Sequence, residues 1–144
     1  MQVTFRKLVG HAKLPSLARV GDAGLDLAAS EPALLAPAGG RAAIHTGIAV
    51  ELDANCVGYV APRSGLALDH GVTVLNGPGI IDSGYRGEIV VILVNLDPTH
   101  EYEVRPGDRV AQLVIAPRVT VEVVEAQAPT PSERGVSGLG DSGR

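Results

Sequence analysis

Short apolar runs interrupted by glycine and proline extend through most of this chain. Its 144 residues include 18 glycines and 10 prolines, and no apolar pattern with the helical period continues beyond about two turns. Short runs separated by turn residues are typical of β-sandwiches and β-barrels. The sequence therefore predicts an all-β domain.

Eight segments have the composition or the alternation of β-strands. They are residues 3–9, 44–52, 57–61, 72–75, 88–95, 100–105, 110–116 and 119–123. Residues 88–95 (EIVVILVN) are nearly all apolar, which predicts a central strand that is buried on both faces. Residues 119–123 alternate apolar and polar side chains, which predicts a half-exposed strand. One short helix is expected over residues 64–69 (SGLALD), ending near Gly71.

Composition argues against several classes of function. A net charge of −4 and an aromatic content of 3% without tryptophan do not favour a polynucleotide-binding protein. Cys56 is the single cysteine, so an intramolecular disulfide is impossible and a reducing cytoplasmic location is expected. No apolar run reaches the ~18 residues of a membrane span, so no membrane association is expected.

The composition changes near residue 127, where proline, serine and glycine begin to dominate. We therefore expect a β-domain over residues 1–126 and a flexible glycine-rich arm over residues 127–144. Composition alone is typical of a disordered terminus. The functional alternative is an arm that wraps a phosphate ligand and becomes ordered only when the ligand binds.

Two segments in the first half of the chain could bind ions. DAGLDL places Asp22 and Asp26 four residues apart, so both would share one face of a strand and could face a cation. The structural alternative is a turn aspartate followed by a solvated one. PRSGLA joins a strand to the short helix, where backbone amides, Arg63 and Ser64 would suit phosphate oxygens. Ser64 could instead only cap the helix.

The loop NGPGIIDSGYRGE carries the most information. Five of its thirteen residues are glycine or proline, and it contains Asn76, Asp82 and Tyr85 immediately before the most apolar strand. Glycine allows the backbone to approach a ligand closely, and a buried strand behind it would hold the loop. A simple hairpin turn with a surface aspartate is the alternative. The four histidines lack metal-ligand spacing, and the sequence has neither a P-loop nor a G-x-S-x-G motif.

Taken in order, five segments resemble the five motifs of the trimeric dUTPase family. They are DAGLDL (22–27), PRSGLA (62–67), NGPGIIDSGYRGEI (76–89), GDRVAQL (107–113) and RGVSGLGDSG (134–143). The resemblance implies a jelly-roll-like β-barrel that forms a homotrimer with active sites shared between chains. It also implies hydrolysis of dUTP to dUMP and pyrophosphate with Mg²⁺, which lowers dUTP and supplies dUMP for thymidylate synthesis.

The resemblance also implies roles for individual residues. Asp82 matches the general base, and Asp26 matches the carboxylate that holds Mg²⁺ through water. Asn76 and the backbone near Gly79 and Ile81 would read the uracil, and Tyr85 would exclude a 2′-hydroxyl. The positions that match substrate-binding residues are Arg63, Ser64, Gly65, Asn76, Gly79, Ile81, Tyr85, Gln112, Arg134 and Leu139.

The fifth segment departs from the family pattern. An aromatic residue is usual at Leu139, serine at Asp141 and glycine at Ser137. These differences bear on how well the arm closes over a nucleotide. Two other functions remain open: a deaminase of dCTP, alone or combined with triphosphatase activity, and a non-catalytic dUTP-binding trimer that acts as a regulator.

Overall fold

The computed structural model describes residues 2–128, 130–132 and 135, and it consists of β-strands with one short helix in those ranges. The elements in chain order are β1 (Thr4–Lys7), β2 (Gly24–Ala28), β3 (Ala33–Leu35), β4 (Gly40–Glu51), β5 (Cys56–Ala61), α1 (Ser64–His70), β6 (Val72–Val74), β7 (Gly79–Ile81), β8 (Glu88–Asn95), β9 (Tyr102–Val104) and β10 (Arg109–Pro117).

The strands form two four-stranded antiparallel sheets and one two-stranded sheet. The first sheet has the order β1-β4-β8-β6, the second has the order β2-β10-β5-β7, and β3 pairs with β9. Aliphatic side chains from all three sheets form one core cluster. Because most successive strands lie in different sheets, the prediction of an all-β, jelly-roll-like fold is confirmed.

Strand β8 has the predicted bounds and the predicted central position, between β4 and β6. Its burial differs from the prediction. Ile89, Val91 and Leu93 are at most 1% exposed, whereas Val90 and Ile92 are 37% and 38% exposed. The prediction of burial on both faces is therefore wrong for this chain by itself, and the outer face of β8 presents an apolar surface.

Helix α1 confirms the predicted short helix. It ends at Gly71, whose φ of 65° places it in the left-handed region, where its N–H bonds to the carbonyls of Ala67 and Leu66. Ser64 is the first helical residue and not its N-cap; Arg63 precedes the helix and provides no side-chain cap. The capping interpretation of Ser64 is therefore wrong. No helix in the described ranges is long and apolar enough to cross a membrane.

The predicted strand over residues 119–123 does not form. β10 ends at Pro117, and residues 118–126 have no regular secondary structure. Val119, Val121 and Val123 are 75–94% exposed. Alternation alone does not make a strand, because an extended segment also needs a neighbour to complete its backbone hydrogen bonds.

Candidate functional site

Asp26 is a buried carboxylate held between two guanidinium groups. Its side chain is 7% exposed. Oδ2 accepts a hydrogen bond of 3.1 Å from Arg109 Nη1, and Oδ1 lies 3.4 Å from Arg63 Nε. That longer contact is close enough for an ion pair but does not form a hydrogen bond, so Oδ1 is a buried oxygen without a hydrogen-bond donor. The DAGLDL, PRSGLA and GDRVAQL segments therefore meet at one carboxylate.

Strand pairing explains this meeting. β10 lies between β2 and β5, so that Gln112 is opposite Asp26 on one side and Ala61 on the other. Arg63 follows Ala61 by two residues, and its Nη1 donates a 3.0 Å hydrogen bond to the Arg109 carbonyl. A register shift between Arg109 and Ala111 interrupts the β2–β10 ladder. Arg109 is thereby placed beside Asp26 as well.

Gln112 lies close to β2. A Cβ built on Gly24 would come within 3.1 Å of Gln112 Cβ and Cδ. The Gln112 side chain therefore packs against the Gly24 backbone, and a larger residue at position 24 would displace it. Asp22 lies outside β2 and accepts a 2.8 Å hydrogen bond from the Arg19 N–H. Asp22 is therefore a turn residue, as the structural alternative predicted, and does not share the strand with Asp26; the same alternative is wrong for Asp26, which is buried and not solvated.

A cavity of about 240 Å³ opens beside Asp26. Lys13, Ser16 and Arg109 also line it, and Lys13 Nζ donates a 3.3 Å hydrogen bond to the Gly107 carbonyl. Two cations and one carboxylate give this cavity a net positive charge in a chain whose net charge is −4. Sequence reasoning missed Lys13 and the side chain of Arg109. The GDRVAQL segment contained Arg109, but nothing in the sequence showed that it turns toward Asp26.

The NGPGIIDSGYRGE loop forms a hairpin around a second pair of cavities. β7 within it pairs with β5. A cavity of about 220 Å³ is lined by Ile81, Asp82, Tyr85 and neighbouring residues. An adjoining one of about 100 Å³ is lined by Asn76 and Gly79 among others. The structure therefore brings together Asn76, Gly79, Ile81, Asp82 and Tyr85, as the sequence predicted. Asp82 is exposed, as both interpretations of the loop require.

Tyr85 is fixed by its own hairpin. Its hydroxyl donates a 2.8 Å hydrogen bond to the Glu88 carbonyl, and its N–H donates a 3.0 Å bond to the Asp82 carbonyl. A Cβ on Gly87 would lie 2.5 Å from the Tyr85 hydroxyl oxygen and 2.7 Å from Cζ. The ring therefore packs directly on the backbone of Gly87, which only a glycine permits.

Glu88 ties the hairpin to β4. Its Oε1 accepts a 2.7 Å hydrogen bond from the Gly47 N–H, and its Oε2 lies 2.8 Å from His45 Nδ1. Desolvation acts to raise the pKa of Glu88, but the hydrogen bonds from His45 and Gly47 outweigh it and leave that pKa below its ordinary value. The hydrogen bond to Glu88 and its negative charge raise the pKa of His45. Sequence reasoning missed this pair.

The predicted site residues fall into two groups within one chain. The cavity beside Asp26 and the two hairpin cavities share no lining residue. Ser64 and Gly65 are exposed next to Arg63. Arg134 and Leu139 lie outside the described residues. Within the described ranges, no group of three histidine, cysteine or acidic side chains is arranged to hold a metal ion by itself.

Known proteins resemble this chain over nearly its full length. A family profile described as dUTPase matches residues 10–143. The deoxyuridine 5′-triphosphate nucleotidohydrolase of Clostridium novyi is 46% identical over 99% of both chains. The protein of the same description from Thermobifida fusca is 46% identical over 99% of this chain and 79% of its own length.

Solved structures show the same fold. A mutant dUTPase of Staphylococcus bacteriophage 80alpha with dUpNHpp superposes with a TM-score of 0.90 at 27% identity, over 99% of both chains. A mutant dUTPase from phage phi11 of S. aureus, described with a structural Mg(II) ion, gives a TM-score of 0.82 at 25% identity, over 91% of this chain and all of that one. From the profile match and the full-length relatives, the chain belongs to the dUTPase family.

Proposed function

We propose that this chain hydrolyses dUTP to dUMP and pyrophosphate. One observation supports the proposal most directly. Asp26 lies in a cavity of net positive charge, while Ile81, Asp82 and Tyr85 line a separate hairpin cavity with both apolar and polar walls. A nucleoside triphosphate has two corresponding parts: a polyanion, which would suit the cationic cavity, and an uncharged base, which would suit the hairpin cavity.

The hairpin would bind the nucleoside. Asn76 and the backbone of Gly79 and Ile81 would offer hydrogen-bonding groups to the edge of uracil, and the turn would leave no room for the methyl group of thymine. The hydroxyl of Tyr85 is already bonded to the Glu88 carbonyl. Tyr85 would therefore present its ring, and not a hydroxyl, to the deoxyribose, and would exclude a 2′-hydroxyl by contact.

The cavity beside Asp26 would bind the phosphates. Arg109 lines this cavity and Arg63 contacts the same carboxylate, with Ser64, Gly65 and Gln112 nearby in the chain or in the sheet. Guanidinium groups fixed in this way stabilise negative charge without reorganising during the reaction. Arg134 and Leu139, from the proposed arm over residues 127–144, would close over the bound nucleotide.

Magnesium fits the chemistry of this cavity. Mg²⁺ keeps several water ligands and binds mainly through substrate phosphates, so a cage of protein ligands is not required. The buried Asp26 Oδ1 lacks a hydrogen-bond donor, and a metal-bound water would supply one. When bound, the ion would neutralise charge on the phosphate oxygens.

Asp82 would act as the general base. A water oxygen attacks the α-phosphorus, its proton passes to the Asp82 carboxylate, and the bond to the oxygen bridging the α- and β-phosphorus breaks. The electron pair leaves with pyrophosphate. The exposure of Asp82 leaves room for both the water and the nucleotide.

A homotrimer would unite the two groups of residues. The cavities around Asp26 and Asp82 share no lining residue within one chain, and this supports a site to which a second chain contributes. Val90 and Ile92 offer an apolar surface for such contact, and residues 119–123 offer an exposed segment without regular secondary structure. Light scattering should give a mass of about three times 14.8 kDa. An active monomer would contradict shared sites.

Pyrophosphate release tests the proposal. We expect release from dUTP to depend on Mg²⁺ and to exceed release from dTTP, dCTP and UTP. Ammonia released from dCTP would instead support the deaminase, and tight dUTP binding without pyrophosphate release would support a regulator. We further propose that the protein acts in the cytoplasm, in accord with its single cysteine.

A further inference from the structure

His45 and Glu88 form an acid–base pair directly behind the nucleoside hairpin. His45 Nδ1 and Glu88 Oε2 are 2.8 Å apart, and the two side chains are 47% and 23% exposed. Glu88 also lines the cavity that contains Asp82 and Tyr85. None of the roles assigned above requires a carboxylate at position 88, so the contacts of Glu88 call for a separate explanation.

The side chain of Glu88 holds an irregular part of β4. The β4–β8 register pairs His45 with Val90 and Ala49 with Glu88, so β4 has two more residues than β8 in this interval. The bulge turns the Gly47 N–H toward Glu88 Oε1, at 2.7 Å. Gly47 has a φ of 66°, and a Cβ there would lie 2.6 Å from Val9 Cγ2. The bulge is therefore closely packed and gives Glu88 a fixed support.

The main chain of Glu88 holds Tyr85. The Glu88 carbonyl accepts the Tyr85 hydroxyl at 2.8 Å, and the same residue begins β8. One residue thus connects the tyrosine ring, through its carbonyl, to the β4 bulge, through its carboxylate. A shift of Glu88 would move the acceptor of the Tyr85 hydroxyl and the ring with it.

We propose that Glu88, held by His45 and Gly47, is a positioning residue that fixes the Tyr85 ring and thereby sets how strictly the site excludes a 2′-hydroxyl. The inference rests on the proposed function, since it assumes that Tyr85 faces the sugar. Glu88 lines the same cavity, and its effect on the sugar is exerted through the position of the Tyr85 ring. Van der Waals exclusion depends steeply on distance, so a small displacement of the ring is enough to admit the larger sugar.

The charged groups around the pair define its response to pH. Glu88 and Glu31 both raise the pKa of His45 above its ordinary value of 6.5. His11 lies on the neighbouring segment, where its Nε2 bonds to the Ser30 carbonyl and the Ser30 hydroxyl bonds to the His45 carbonyl. The charged pair therefore persists below the raised pKa of His45 and is lost as pH rises through it.

Discrimination between dUTP and UTP tests the inference. Glu88→Ala removes the carboxylate but keeps the carbonyl that Tyr85 uses. We expect the ratio of kcat/KM for dUTP to that for UTP to fall by about tenfold, the lower end of what a sterically selective pocket contributes. Activity on UTP should rise, which simple damage to the fold would not produce. Glu88→Gln keeps an acceptor for Gly47 and should restore much of the ratio.

His45→Ala provides a second variant at a partly exposed position. It should lower the ratio by about threefold, as expected for a partly screened pair. It should also remove the decline of the wild-type ratio as pH rises through the His45 pKa. His100→Ala is the matched control, because His100 forms a similar pair with Asp97 at 3.1 Å and is 83% exposed. That variant should retain the wild-type ratio and its pH profile.

The possible outcomes separate the inference from the proposed function. If the wild-type chain hydrolyses dUTP but neither Glu88→Ala nor His45→Ala changes the ratio, the inference is wrong and the proposed function stands. If both variants lose activity on dUTP and UTP equally, Glu88 is only structural and the inference is again wrong. A wild-type chain that hydrolyses neither nucleotide overturns the proposed function and the inference together.

Discussion

Asp26→Asn removes the charge that two guanidinium groups share while it keeps the size of the side chain. Arg109 Nη1 lies 3.1 Å from Oδ2, and Arg63 Nε lies 3.4 Å from Oδ1. At an effective dielectric constant near 20, each pair attracts by about 5 kcal/mol before desolvation is subtracted. The net stabilisation is much smaller, because Asp26 loses nearly all of its hydration in the fold.

Partial exposure of the two arginines sets the expected cost. Breaking a buried pair costs about 3–5 kcal/mol, whereas an exposed pair contributes about 0–1 kcal/mol. The side chain of Asp26 is 7% exposed, but those of Arg63 and Arg109 are 24% and 55% exposed. Both cations therefore regain part of their hydration when Asp26 is neutralised. We expect the free energy of unfolding to fall by about 2 kcal/mol, and the Tm by about 6–8 °C.

Urea unfolding at a fixed chain concentration would measure this cost, because any assembly makes the midpoint depend on concentration. Glu103→Gln is the control. Glu103 and its partner Arg105 are 58% and 71% exposed, respectively, so the loss of this pair should change the free energy of unfolding by less than about 0.5 kcal/mol. A double-mutant cycle with Arg109→Gln should show a coupling of about 1 kcal/mol or more. Equal stability of Asp26→Asn and wild type would refute the argument from buried charge.

Three further predictions concern catalysis, backbone conformation and the arm. Asp82→Asn should lose about 10² to 10⁴ in kcat while still binding dUTP, and turnover near the wild-type value would remove Asp82 as the base. Gly47→Ala should destabilise by about 2–4 kcal/mol in urea unfolding, from left-handed strain and overpacking; Gly21→Ala, with a φ of 95° and no atom within 4 Å of its Cβ, should cost only the strain. Deletion of residues 134–144 should lower kcat/KM for dUTP strongly, and an unchanged value would show that the arm does not act on substrate.

Secondary structure could be predicted where local sequence decides it. β8 has its predicted bounds because its apolar run lies between Gly87 and the polar residues that follow Leu96. The helix ends where Gly71 supplies the left-handed residue. β7 was not predicted, because its three residues lie inside a glycine-rich loop and gain their order from pairing with β5. The prediction for residues 119–123 failed for the opposite reason, since their pattern was correct but no strand among the described residues pairs with them.

The site could be predicted in part for a related reason. Residues such as Asp82 and Tyr85 lie three apart, and their grouping in one hairpin follows from the loop sequence. Contacts between distant segments were not predictable from one sequence. Arg109 meets Asp26 across 83 positions, and His45 meets Glu88 across 43. Only the sheet order, which no local pattern encodes, brings these partners together.

A carboxylate among arginines is at first unexpected in a cavity that we propose binds a triphosphate. Arg63 and Arg109 would repel each other if they stood alone, and their flexible side chains would adopt many conformations. Asp26 reduces that repulsion and contacts both guanidinium groups, yet leaves them with one net positive charge, and Lys13 lines the cavity together with Arg109. The further positive charge needed to balance a triphosphate would come from the metal ion bound to the nucleotide. The cavity is therefore ordered before substrate binds, and a chain with a net charge of −4 avoids a permanent cluster of uncompensated cations.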